Sequence, residues 1–224
     1  MDDKEILIRW AEDEFLIGHN LGNMLHGYLD LEESVAMGSF AQDELAHCML
    51  ICERLGMSER EADKHFFLTP ASDFVCCSLA AYEVHRWVDL VAKHLIYEEA
   101  EAIRVSAMGG STVMVREEEY HRRHWWGWAR NLTKTERGKL ALEDALREML
   151  AISGDLFDWG FEIDIRSWFS EFESKLNYLD IHLGVDIPQF RNRSERGKIL
   201  GARFEDLVSN MQSVFRIDPD AILA

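Results

Sequence analysis

The sequence predicts an all-α protein, a four-helix bundle with additional C-terminal helices, and three observations carry that prediction. Only three prolines, Pro70, Pro188 and Pro219, interrupt 224 residues. Runs of β-branched residues that would read as strands are scarce. Apolar residues recur at three- and four-residue spacing over long stretches, which is the period of a helix face. A chain of this length suits a single core, and no Gly/Ser linker, low-complexity tract or shift of composition marks a boundary within 1–224. Residues 1–131 therefore read as a four-helix core and 132–224 as accessory helices of one domain.

The first helix is expected from about Asp3 to Met24, with Leu7, Trp10, Glu14, Ile17, Leu21 and Leu25 on one stripe and Gly27 ending it. A second runs from Leu31 to Leu55 and closes on Gly56, the C-terminal glycine that a left-handed cap favours. Ser58-Glu59-Arg60-Glu61 has the form of a capping box and opens a short connecting helix before Thr69-Pro70. The third helix is expected from Ser72 to Met108, where Gly109-Gly110 breaks it. A fourth follows from Ser111 or Thr112 to Asn131. Thr133-Lys134-Thr135-Glu136, a second capping box, opens a fifth through Ile152. Helices over 165–182 and 193–215, separated by Pro188, complete the chain.

Composition excludes several function classes. Asp and Glu total 41 against 24 Lys and Arg, a net charge of −17, so no basic stripe for nucleic-acid phosphates is expected. No apolar run reaches the roughly 18 to 20 residues of a membrane span. The start, Met1-Asp2-Asp3-Lys4-Glu5, lacks the basic and apolar regions of a signal peptide, so a cytoplasmic protein is expected. Cys48, Cys52, Cys76 and Cys77 have neither disulfide-framework nor CxxC spacing and read as buried reduced thiols.

Two tetrads of the form Glu-x-x-His carry chemistry: Glu44-Leu45-Ala46-His47 and Glu118-Glu119-Tyr120-His121. Residues three apart share a helix face, so each tetrad aims a carboxylate and an imidazole at one point. Chance alone supplies roughly one such tetrad in a chain of this composition, so placement decides. Each sits near the middle of a long expected helix, and each is preceded by a helix with an acid in its apolar stripe. Glu14 and Glu44 are 30 residues apart, Asp89 and Glu118 are 29. Glu83 and His85 compete with Asp89 for the third-helix position.

An acid in an apolar stripe ordinarily reaches solvent at the stripe's edge. Four buried carboxylates in one layer would instead repel unless cations neutralise them. Two helix pairs, each giving a carboxylate and then Glu-x-x-His, have the sequence form of a ferritin-like dinuclear site in a four-helix bundle. Glu14, Glu44, His47, Asp89, Glu118 and His121 are the candidate ligands. Their mixed oxygen and nitrogen donors suit two iron ions, or manganese.

The segment Ala41-Gln42-Asp43-Glu44-Leu45-Ala46-His47, with its helix ending at Glu53-Arg54-Leu55-Gly56, resembles the catalytic subunits of the phenylacetyl-CoA epoxidase family, multicomponent bacterial oxygenases of phenylacetate breakdown. Glu14-Phe15-Leu16-Ile17-Gly18 and Glu117-Glu118-Glu119-Tyr120-His121 are similar to the other ligand segments, and Asp89 falls where that family uses an Asp. Gly18-His19-Asn20-Leu21 is also similar to the family's non-catalytic structural subunit. The resemblance covers about residues 5–130. It implies a di-iron monooxygenase that uses O2 to epoxidise or hydroxylate an organic substrate, in that family an aromatic acyl-CoA. On that assignment Glu44 and Glu118 bridge the irons and are the catalytic carboxylates, Glu14 and Asp89 are terminal, and His47 and His121 each bind one iron.

No GxGxxG after a strand and no iron–sulfur cysteine set occurs, so electrons are expected from a separate reductase. A paralogous structural subunit, and a homo- or hetero-oligomer, are the other expected partners. Asp43 and Glu117 are candidates to orient the imidazoles. Trp125, Trp126 and Trp128 suit either core packing or the wall of an aromatic pocket, and Arg122, Arg123 and Arg130 either solvated charge or contact with an anionic group. Two other functions fit the same residues: an iron-oxidising or iron-handling ferritin-like protein, and a non-catalytic structural subunit.

Overall fold

The computed structural model describes residues 3–25 and 30–220. Among them the chain is all-α, as a ferritin-like bundle requires, with α1 (Asp3–Asn23), α2 (Leu31–Arg54), α3 (Glu59–Leu68), α4 (Ser78–Ala81), α5 (Trp87–Ala107), α6 (Thr112–Leu132), α7 (Glu136–Ile152), α8 (Ile165–Tyr178), α9 (Arg196–Leu200) and α10 (Ala202–Gln212). None of the described helices is long and apolar enough to cross a membrane. Gly27 lies outside the described residues. The chain divides into two compact units, Met1–Glu83 with Arg193–Ala224, and Val84–Asn192.

In the first unit α1 and α2 pack along their lengths. Trp10, Ala11, Leu16, Ile17 and Leu21 are fully buried on α1, and Met37 and Ile51 on α2. Asp30 caps α2 by accepting from the Glu33 N–H at 2.9 Å. The Ser58 capping box forms as the sequence predicts, its N–H and Oγ–H both donating to Glu61 at 2.8 and 2.6 Å.

The helix expected from Ser72 to Met108 is interrupted. A 3-10 turn, Ala71–Asp73, and the one-turn α4 precede α5, which starts only at Trp87. The reason is tertiary. Phe74 and Cys77 are extended, with ψ 141° and 155°, and buried side chains take the backbone groups that a helix would use. Val75 N–H donates to Glu12, Cys77 N–H donates to Asp13 at 2.7 Å, the Val75 carbonyl accepts from Arg193, and those of Phe74 and Cys76 accept from Arg196. Arg193 also donates to both oxygens of Asp13, at 3.0 and 2.8 Å. The helix expected over 193–215 is likewise divided, because Gly201 sits at φ +54° between α9 and α10. That over 165–182 stops at Tyr178, two residues before Asp180 at φ +57°.

In the second unit α5 packs on α6 and α7. All fifteen residues from Trp87 to Glu101 are buried or half-buried, because α5 is covered on several sides; Leu90, Val91, Ala92, Ile96, Tyr97 and Ala100 have no exposure. Ser111 caps α6 through Met114 N–H, and Thr135 caps α7 through Gly138 N–H, so the cap falls two residues after Thr133 and the box expected over Thr133–Glu136 does not form.

Two outcomes follow. Arg193→Ala leaves Asp13 buried without its guanidinium and is expected to lower stability by roughly 3–5 kcal/mol, read from the urea midpoint at constant m-value; a loss under about 1 kcal/mol would contradict this role. Hydrogen bonds from Ser58 hold the Glu61 carboxyl below its ordinary pKa. A carboxyl so depressed adds stability above its unfolded pKa that is lost as pH falls through the folded value. Ser58→Ala is therefore expected to lower Tm near neutral pH, with the gap to wild type narrowing in melts at about pH 3.

Candidate metal centre

Each unit carries one cluster of buried glutamates with a histidine. In the first, Glu14 comes from α1 and Glu44 and His47 from α2, all with no exposure. Their ligand atoms lie within 4.8 Å of one another. His47 Nδ1 is 3.5 Å from Glu14 Oε2 and 3.7 Å from Glu44 Oε2. The Trp10 indole N–H, one turn before Glu14, donates to Glu14 Oε1 at 3.0 Å. Gly18 brings the helices close here: a Cβ on it would lie 3.0 Å from the Ala41 carbonyl oxygen and 3.1 Å from Glu44 Cβ.

In the second unit α5 supplies Glu98 and α6 supplies Glu118 and His121, exposed by 2% or less. These ligand atoms also lie within 4.8 Å of one another. His121 Nδ1 is 3.9 Å from Glu98 Oε2. His94, one turn before Glu98, donates through Nδ1 to Glu98 Oε1 at 2.7 Å and stacks on Trp125, ring centroids 4.4 Å apart.

Of the six candidate ligands, Glu14, Glu44 and His47 meet in one cluster, and Glu118 and His121 stand in the other. Asp89 does not join them. It lies in the first turn of α5, where Arg86 donates to both its oxygens at 2.7 and 2.6 Å. Glu98, nine residues on, holds the place given to Asp89. The error comes from the helix boundary: with the helix drawn back to Ser72, Asp89 looked central, whereas the central acid of α5 is Glu98. The signal was present, since Glu98 follows Leu95-Ile96-Tyr97 and stands nine residues before its helix end, as Glu14 does. Glu83 and His85 are exposed, ahead of α5.

The remaining candidates have other surroundings. Trp125 is fully buried, Trp128 meets Trp87 edge-on at 5.0 Å, and Trp126 donates to Glu99 at 2.7 Å. Arg123 pairs with Glu119, and Asp43 and Glu117 are half-buried. Arg122 lines a cavity of about 500 Å³ together with Glu99, Ile103, Trp168, Phe172 and Lys175. All four cysteines are free and buried. Burial, then hydrogen bonding to Cys52, pushes the Cys48 thiol well up, and burial pushes Cys76 up. Burial also raises the Glu12 carboxyl, against the lowering effect of His65 and Val75 N–H.

Fold and clusters together define a class: an all-α protein with buried glutamate–histidine sets able to hold metal ions. The chain belongs to the phenylacetic acid catabolic protein family, whose sequence profile matches residues 2–221. No curated protein matches it.

The close approach at Gly18 is testable against Gly22, where an added Cβ meets nothing within 4 Å. Gly18→Ala is expected to cost about 1–3 kcal/mol through overpacking, whereas Gly22→Ala is expected to be neutral or stabilising by about 0.5–1 kcal/mol, both read from chemical denaturation. Equal effects at the two positions would exclude a special fit beside Glu44.

Proposed function

We propose that the chain is a non-haem di-iron oxygenase of phenylacetate-type catabolism, with Glu14, Glu44 and His47 as one set of ligands and Glu98, Glu118 and His121 as the other. The observation that carries this reading is the duplicated donor set: two buried glutamates and one histidine in each unit, with ligand atoms close enough to converge on an ion. Two glutamates and one imidazole give oxygen-rich, nitrogen-containing coordination, which fits iron or manganese better than zinc. Asp89, already engaged by Arg86, is not part of this set.

Bound as a pair, iron ions supply reductive activation of O2, with one oxygen atom going to an organic substrate and the other to water. The chain's own residues hold and shield that chemistry. Trp10 and His94 fix one oxygen each of Glu14 and Glu98. Ile17, Ile51 and Trp125, all without exposure, keep bulk water from the helices that bear the ligands. The substrate in this reading is an aromatic acyl-CoA or a related organic acid derivative, as the family suggests. The two electrons come from a separate reductase, and a paralogous subunit is a further partner.

Anaerobic Fe(II) loading tests the proposal. Wild type is expected to take two irons per chain, with Glu44→Ala and Glu118→Ala falling to one or fewer, and to consume O2 with product formation only when substrate and reductase are present. Fewer than one iron per wild-type chain would overturn it and favour a structural subunit. O2 consumption by Fe(II) alone, indifferent to substrate, would favour an iron-oxidising protein.

A further inference from the structure

The two ligand sets share a feature outside the ligands themselves. Four residues before each lone glutamate, on the same helix and facing it, stands a buried ring N–H: the Trp10 indole before Glu14 and the His94 imidazole before Glu98. Both rings donate to Oε1. In both sets Oε2 is then the oxygen facing the histidine of the following Glu-x-x-His, 3.5 Å from His47 Nδ1 and 3.9 Å from His121 Nδ1.

We propose that His94 and Trp10 are positioning residues that assign one oxygen of Glu98 and Glu14 to the protein and the other to a metal ion; this rests on the metal reading above. A glutamate side chain has three rotatable bonds and two equivalent oxygens, so an unrestrained carboxylate samples many orientations. Tying Oε1 to a ring that cannot itself move removes most of them. His94 is such a ring, having no exposure and lying parallel to Trp125, with an interplanar angle of 16°. Trp10 is equally enclosed, with the Arg54 guanidinium over its ring at 5.6 Å. Donation to a carboxylate also settles the His94 tautomer, since Nδ1 must carry the proton. His94 is not among the residues whose ligand atoms converge beside Glu98, and with Nδ1 engaged in this way it supports a ligand rather than serving as one. Hydrogen bonds of this kind to metal-binding side chains typically change metal affinity roughly 10–100-fold.

The test is a titration of the full chain with Fe(II) under anaerobic conditions, repeated with Co(II), whose visible absorption reports coordination directly. His94→Phe keeps a flat ring against Trp125 and removes the N–H. It is expected to weaken one of the two ions roughly 10–100-fold and to alter the Co(II) bands, with unchanged far-ultraviolet circular dichroism. His94→Asn, which restores a donor where Nδ1 stood, is expected to recover affinity to within about threefold, whereas His94→Gln, whose amide reaches the Nε2 position, is not. The Asn and Gln pair decides the matter if the Phe variant does not fold. Trp10→Phe is expected to weaken one ion and leave the one affected by His94→Phe at wild-type affinity. Wild-type affinity for both ions in His94→Phe, or equal behaviour of the Asn and Gln variants, would overturn the positioning role while leaving two metal ions per chain standing. A wild-type chain that takes up no metal would overturn the ligand assignment itself.

Discussion

A carboxylate taken out of water has to be met by a proton, a cation or N–H donors, and this constraint organises α1. Glu12, Asp13 and Glu14 are consecutive and all three have no exposure. Successive helix residues point about 100° apart, so the three carboxylates reach three different neighbourhoods. Glu12 meets His65 of α3 at 2.9 Å and the Val75 N–H. Asp13 meets Arg193 and the Cys77 N–H. Glu14 meets the Trp10 indole and faces His47. Glu12 and Asp13 thus both hold the 74–77 strap, Glu12 also engaging α3 and Asp13 the start of the C-terminal segment, while Glu14 faces α2. The ligand-type cluster and the fold of the first unit are set by adjacent side chains on the same turns of helix, so a one-residue slip of α1 would disturb both.

The second unit meets the same constraint with a different distribution of partners. On α5, Glu98 takes a hydrogen bond from His94, Glu99 from Trp126, and Glu101 from Arg104 at 2.6 Å. Arg104 in turn donates to Tyr97 and lies over the Trp159 ring, 5.5 Å from its centroid. Neighbouring acids on one helix therefore serve separate purposes, and chemistry cannot be assigned from acid content alone. What sets Glu14 and Glu98 apart is that their neighbours are an imidazole and an aromatic N–H, whereas Asp13 and Glu101 are each clamped by a guanidinium.

That distinction explains what was legible in the sequence. The places of Glu44 and Glu118 in their clusters were legible because their histidines follow at i+3, a local relation that helix geometry guarantees once the helix is recognised. Glu14 was legible as a member of its cluster because α1 begins close to where its apolar stripe predicts, which puts this acid near the middle of the helix. Glu98 was missed because the start of α5 depends on Arg193 and Arg196, which are more than 100 residues away in the chain and hold the backbone of 74–77 in extended form. Long-range hydrogen bonds to a backbone leave no trace in local periodicity. The Ser58 capping box was legible for the opposite reason, since Ser58 and Glu61 complete each other within a single turn, whereas at α7 the cap is Thr135 in place of the expected Thr133. Trp125 and Trp126 were read as alternatives between packing and pocket, and each turned out to have a specific partner, His94 and Glu99.

Charge balance links these observations to the acidic composition of the chain. Among the described residues eleven acidic side chains are buried, against four basic ones, Lys93, Arg104, Arg193 and Arg196. Some of that imbalance is met from the rim: Arg86 reaches Asp89, and Arg147 approaches Glu143 at 3.5 Å. Four of the eleven are Glu14, Glu44, Glu98 and Glu118, and the rings beside them are neutral donors unless a histidine is protonated. Imidazoles that serve as metal ligands are neutral, so protonating them is not available to the same protein in its loaded form. Two divalent cations bring four positive charges to four carboxylates, which is the match that a buried oxygen-rich site needs if it is not to pay repeatedly for desolvated negative charge. The arrangement of these four buried carboxylates thus supports the proposed metal reading in a way that the net charge of the chain alone does not.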